Sequence, residues 1–113
     1  MSVVMVGAIP IELDRSQKLN EREFAIAGSG RPRAVAFMMR ERVVLTRGNP
    51  EFEEVLTLFV ETEPNQPQRR HRYVIVATAT PINVPDGRRL EYIGTAIGQS
   101  GIVAHVYEIK TVD

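Results

Sequence analysis

The sequence predicts a mainly β fold: a single small antiparallel sandwich or barrel of six to seven strands. Two observations carry this. β-branched and aromatic runs recur along the chain, each closed by a glycine or proline turn signal. The length of 113 residues, 43% of them hydrophobic, suits one core and one domain spanning residues 1–113. No internal repeat or low-complexity tract interrupts the pattern.

The C-terminal third is the clearest. Arg72 to Thr80 is a β-branched run stopped by Pro81 and by the turn Pro85-Asp86-Gly87. Glu91 to Ile97 is a second run, and Gly98-Gln99-Ser100-Gly101 reads as a tight reversal into a third, Ile102 to Lys110. Alternation in this last strand puts Val103, His105, Tyr107 and Ile109 on one face and Ile102, Ala104, Val106 and Glu108 on the other. Both faces are apolar in the middle, which is the mark of a central strand.

Upstream, Val55 to Glu63 alternates as a strand, with Leu56, Leu58 and Val60 on one side. Pro64 to His71 holds two prolines and no apolar residue, and reads as an exposed hairpin loop. Arg40 to Arg47 is a further strand around Val43, Val44 and Leu45, followed by Gly48-Asn49-Pro50 and an acidic connection from Glu51 to Glu54. Arg22 to Ala27 and Arg33 to Met39 are shorter strands around Gly28-Ser29-Gly30-Arg31-Pro32. Residues 34–42 also tolerate a helix, although Val35, Phe37 and Met39 recur at the strand period of two. Val3 to Ile9 adds one more strand. So small a sheet has edges to protect, and a homo-oligomer is one way to protect them.

Composition excludes several chemistries. Without cysteine there is no disulfide, thiolate zinc site or thiol nucleophile, and no cofactor is called for. The apolar start, Ser2 to Ile11, is too short to cross a bilayer and lacks the features of a signal peptide, so the expectation is a cytoplasmic protein that does not engage membranes. Net charge is zero, so the chain is not expected to bind nucleic acid electrostatically. The balance is uneven: ten acids against eight bases in residues 1–67, six bases against four acids in residues 68–113. Twelve of the 14 basic residues are arginine, the side chain suited to bidentate recognition of phosphate and carboxylate, or simply the product of GC-rich codons.

No catalytic or metal-binding constellation stands out. Ser2, Ser16, Ser29 and Ser100 lie outside any nucleophile elbow. Neither His71 nor His105 has a neighbour at metal-ligand spacing; His105 and Glu108, three apart on a strand, point to opposite faces. The candidate ligand-binding residues are therefore basic and hydroxyl groups. Arg69, Arg70 and Arg72, with His71, could clamp a phosphate or an acidic surface, or form a solvated rim. Arg88 and Arg89 lie at the far end of the next connection. Thr78, Thr80 and Thr95 could line a polar pocket beside His105, which could equally be a satisfied core histidine.

Ala77-Thr-Ala-Thr-Pro-Ile82, Glu91-Tyr-Ile-Gly-Thr-Ala96 and Ile102-Val-Ala-His-Val-Tyr-Glu108 resemble a family of small, uncharacterised proteins encoded by phages and prophages. The resemblance extends more loosely back to Arg22 and leaves residues 1–21 as an N-terminal addition. Gly94, Thr95 and His105 match recurring positions; Thr80 and Ala104 depart, standing where the family usually has histidine and often has tryptophan. The resemblance implies phage origin and an all-β fold, and attaches no reaction. With phage origin, the leading expectation is a non-enzymatic counter-defence factor in the host cytoplasm. It would sequester a small anionic, nucleotide-like signal or block a host protein. A virion or replication accessory protein acting through self-association is the alternative, and a cryptic enzyme the third.

Overall fold

The computed structural model describes residues 3–42, 48 and 51–112. Seven strands follow in order: β1 Met5–Ile11, β2 Leu19–Ala27, β3 Pro32–Arg42, β4 Glu51–Thr62, β5 Gln68–Val76, β6 Arg88–Ile97 and β7 Val103–Thr111. They form two antiparallel sheets, β1-β4-β3 and β2-β5-β7-β6. The mainly β expectation holds, and the form is a sandwich rather than a closed barrel. No helix among the described residues is long and apolar enough to cross a membrane.

The core lies where the alternating faces meet. Leu56, Leu58 and Val60 of β4 project from one sheet, joined by Ile11 of β1; Tyr73, Ile75, Ala104 and Val106 project from the other. Residues 34–42 are strand, because Val35 and Phe37 lie in register with Leu58 and Leu56 and pack on this core. β7 is interior in its sheet, as its two apolar faces require.

Three sequence expectations are corrected. Pro64 to His71 does not close a hairpin: β4 and β5 belong to different sheets, and residues 68–71 are already strand. Glu51 to Glu54 is not a connection but the start of β4, where Glu51 and Glu53 lie opposite Arg42 and Arg40 in register. Arg40 to Arg42 extend β3 rather than opening a new strand, and Val43, Val44 and Leu45 fall outside the described residues.

Two consequences of the topology position everything that follows. β1 pairs with β4 only as far as Leu56, whereas β3 continues to Glu51. Beyond the core, β3 and β4 therefore form a two-stranded ribbon. The connection from β5 to β6 is the second. Val76 is level with His105 and Arg88 with Thr111, six residues apart on the intervening β7. Residues 77–87 must then run along β7 for about 20 Å. They do so over the outer face, where Thr78 reaches His105 and where Val74 and Val76 are buried. This strap covers an otherwise open sheet surface.

Candidate functional site

His105 is the centre of a polar chain on the strapped outer face. Its Nε2 lies 2.8 Å from Thr78 Oγ1 on the strap, and its Nδ1 lies 2.8 Å from Thr95 Oγ1 on β6. Thr95 Oγ1 is in turn 2.5 Å from the Tyr92 hydroxyl. Hydroxyls donate or accept, so both ring nitrogens are satisfied in either neutral tautomer. A bulge at Ile93 makes this arrangement possible: β6 pairs Tyr92 with Tyr107 and Thr95 with His105, both on the outer face. Without the extra residue, positions 92 and 95 would point to opposite sides. Thr80 is not in the chain; its backbone N–H closes a turn on Ala77 O at 3.2 Å.

The arginines gather at the other end of the sandwich. Arg70 and Arg72 lie on the outer face of β5, opposite Glu23 at 3.6 Å and Glu21 at 3.2 Å on β2. Arg69 turns to the inner side and lines a shallow depression with Gly28, Ser29 and Glu63. Arg88 donates to Thr111 Oγ1 at 2.6 Å. Arg89 lies 3.5 Å from Glu91, whose carboxyl is held below its usual range by Lys110 first and Arg89 second. Arg72 stands four residues before Val76, the register partner of His105, which is about 13 Å along the strand. The structure thus joins Thr78, Thr95 and His105 and separates them from Arg69, Arg70, Arg72, Arg88 and Arg89.

A second polar cluster lies inside the sandwich at this arginine end. His71 points inward, opposite to its arginine neighbours, and its Nδ1 is 3.3 Å from Glu108 Oε2. Nε2 of the ring is buried without a partner among the described residues, as is the Tyr73 hydroxyl. Gly30, at φ +60°, gives the ring its space: a Cβ there would sit 2.8 Å from His71 Nε2. Burial, and then the Glu108 charge, push the Tyr73 hydroxyl well above its ordinary value. Strand alternation separates His71 from Arg70 and Arg72, a signal present in the sequence; its partnership with Glu108 depends on β5 and β7 being neighbours. No three His, Asp or Glu side chains converge to hold a metal among the described residues.

The opposite end is open, with an apolar cavity floored by Phe37, Ile75 and Ala104 beside a polar one lined by Glu12, Arg42, Glu53 and Glu54. The ribbon projects from this end, and the loop joining β1 to β2 crosses it. Among the residues that line its two cavities, sequence reasoning named Ala104 as a departure from the family pattern and Phe37, Leu56 and Val103 as strand positions, but none as a ligand-binding candidate.

The fold and these clusters define a small two-sheet β-sandwich module. The chain belongs to a domain family of unknown function (DUF7352), whose model matches residues 34–112. The match takes in most of β3, all of β4 to β7 and the strap, while β1 and β2 each supply one of the two edge strands of their sheets. No curated protein and no solved structure matches the chain.

Proposed function

We propose that this domain is a non-catalytic binding module that docks a protein partner through the β3–β4 ribbon. On the phage resemblance, that partner is a component of the host cytoplasm. One observation carries the reading. Met38, Met39 and Phe52, all on this two-stranded extension, are 47%, 53% and 63% exposed. A two-stranded ribbon is marginal by itself, and apolar side chains concentrated on one are the usual signature of a binding surface. Arg40 bridges Glu12 and Glu53 at 3.0 and 2.7 Å, bracing the ribbon against the end of β1. The arginine clamp offers less to a nucleotide-like ligand: it is divided between two faces, and Arg70, Arg72 and Arg89 already face carboxylates.

A self-associating accessory role is the second reading. It is favoured by β1, an edge strand whose Met5 and Val6 are 56% and 63% exposed.

The test is capture of host proteins by the immobilised full chain, compared with a Met39→Asp/Phe52→Asp variant and an Arg88→Ala control. Loss of the captured partner in the ribbon variant alone, with an unchanged circular dichroism spectrum, is expected. Capture unaffected by the ribbon variant overturns the docking reading. A native mass of two or more copies that the ribbon variant leaves intact moves the assignment to self-association through β1.

A further inference from the structure

Beside the ribbon, a cavity of about 200 Å³ opens between the two sheets. Its floor is apolar, made by Leu13, Phe37, Ile75 and Ala104. Its roof is the β1–β2 loop, Asp14 to Lys18. That roof is held in place from below. Asn20, only 7% exposed, accepts the Asp14 N–H at 2.9 Å and donates to the Asp14 carbonyl at 3.3 Å. At the other end of the loop, the Lys18 carbonyl accepts the Ala77 N–H at 2.9 Å. The opening is therefore preformed, as ligand sites commonly are.

The charge around it is one-sided. Asp14 spends its carboxylate on its own turn, accepting from the Ser16 hydroxyl at 2.6 Å and the Ser16 N–H at 3.0 Å. Those bonds hold the Asp14 carboxyl below its usual range. The side chains of Arg15 and Lys18, on the same rim, make no hydrogen bond or ion pair among the described residues. Arg15 influences Glu53 only at longer range, since Glu53 is hydrogen-bonded to Arg40. Two uncommitted cations thus stand over an apolar floor. A dry cavity of about 150 Å³ is enough to admit benzene, so this one accommodates a six-membered ring with a short tail.

We propose that this cavity binds a small monoanion with an apolar body, of the aryl carboxylate class, its ring on Phe37, Ile75 and Ala104 and its carboxylate at Arg15 and Lys18. This site is independent of the ribbon surface and of every arginine in the 69–89 segment.

Phenylacetate and its uncharged counterpart 2-phenylethanol test it, each titrated into the isotope-labelled full chain and followed by amide chemical shifts. Phenylacetate should shift Leu13, Lys18, Ala77 and Ala104 saturably. The alcohol should bind about ten-fold more weakly, the worth of one hydrogen bond to a charged group. Arg15→Glu with Lys18→Glu, both at exposed positions, should erase that preference and leave the remaining spectrum unchanged. Ala104→Leu should abolish binding by filling the floor, and Ala77→Leu repeats the test at a less buried wall. The proposal is overturned by equal binding of the two probes, by shifts centred elsewhere, by no shift at millimolar phenylacetate, or by undiminished binding in both filled variants.

Discussion

His71 on β5 and Glu108 on β7 meet on the inner surface of the four-stranded sheet, Nδ1 to Oε2 at 3.3 Å, with the side chains 11% and 7% exposed. Both are flanked by residues that point outward, Arg70 and Arg72 on one strand, Tyr107 and Ile109 on the other. The pair is thus a polar inclusion at the edge of an apolar core.

Removing one partner leaves the other buried and alone. His71→Leu should lower unfolding stability by about 2 kcal/mol, because the buried Glu108 carboxyl is left without its hydrogen-bond partner. The double variant His71→Leu/Glu108→Leu should lose much less than the sum of the two single changes, since a buried pair exchanged for apolar groups is close to neutral. Urea unfolding of the four proteins gives the coupling directly. Additive losses would show that the two side chains do not support each other.

Tyr73 is fully buried, packs its ring 6.1 Å from that of Phe24, and leaves its hydroxyl without a partner. Tyr73→Phe keeps the packing and removes the orphan, so a gain of about 1 kcal/mol is expected. The pH dependence has a definite sign. Folding raises the pKa of this phenol, so the folded state holds its proton where the unfolded chain gives it up. The contribution is complete below the unfolded value of about 10 and is lost as pH rises beyond it. Stability of the natural protein should therefore fall more steeply than that of the variant above that pH. Parallel curves from urea titrations across the alkaline range would refute this account.

His105 ties the strap to the edge strand, and its loss should be local before it is global. In His105→Ala, Thr78 and Thr95 lose their common partner, while the Val112 N–H to Gly87 carbonyl bond at 2.9 Å still anchors the far end of the strap. Amide exchange in residues 77–84 should accelerate about ten-fold, with a stability loss of about 1–2 kcal/mol. Protection unchanged in the strap would mean that the buried Val74 and Val76 hold it unaided.

Much of this architecture is legible in the residues. Alternation in β7 assigns Ala104, Val106 and Glu108 to one face and His105 and Tyr107 to the other, and apolar character on both faces marks the strand as interior. The threonines beside His105 are equally visible as candidates, and Thr78 and Thr95 do meet the ring. Thr80 does not, because a turn with Ala79 at φ 64° carries the strap away from the histidine. The acidic run at Glu51 to Glu54 misleads for a physical reason: charges are ordinary on a strand when the partner strand supplies Arg40 and Arg42 opposite them.

What the sequence determined by itself is the fold class, the inward and outward sets of most strands, and the absence of cysteine chemistry. Those follow from composition and from a period of two, both local properties. Tertiary structure alone decided which strands are neighbours. A polar loop such as 63–67 serves equally to turn a hairpin or to cross between sheets, and only the pairing of β2 and β7 with β5 settles which. From that pairing come the separation of His105 from the arginines, the meeting of His71 with Glu108, and the open end where the ribbon and the cavity lie. Each joins residues far apart in the chain, so no local pattern could have announced it.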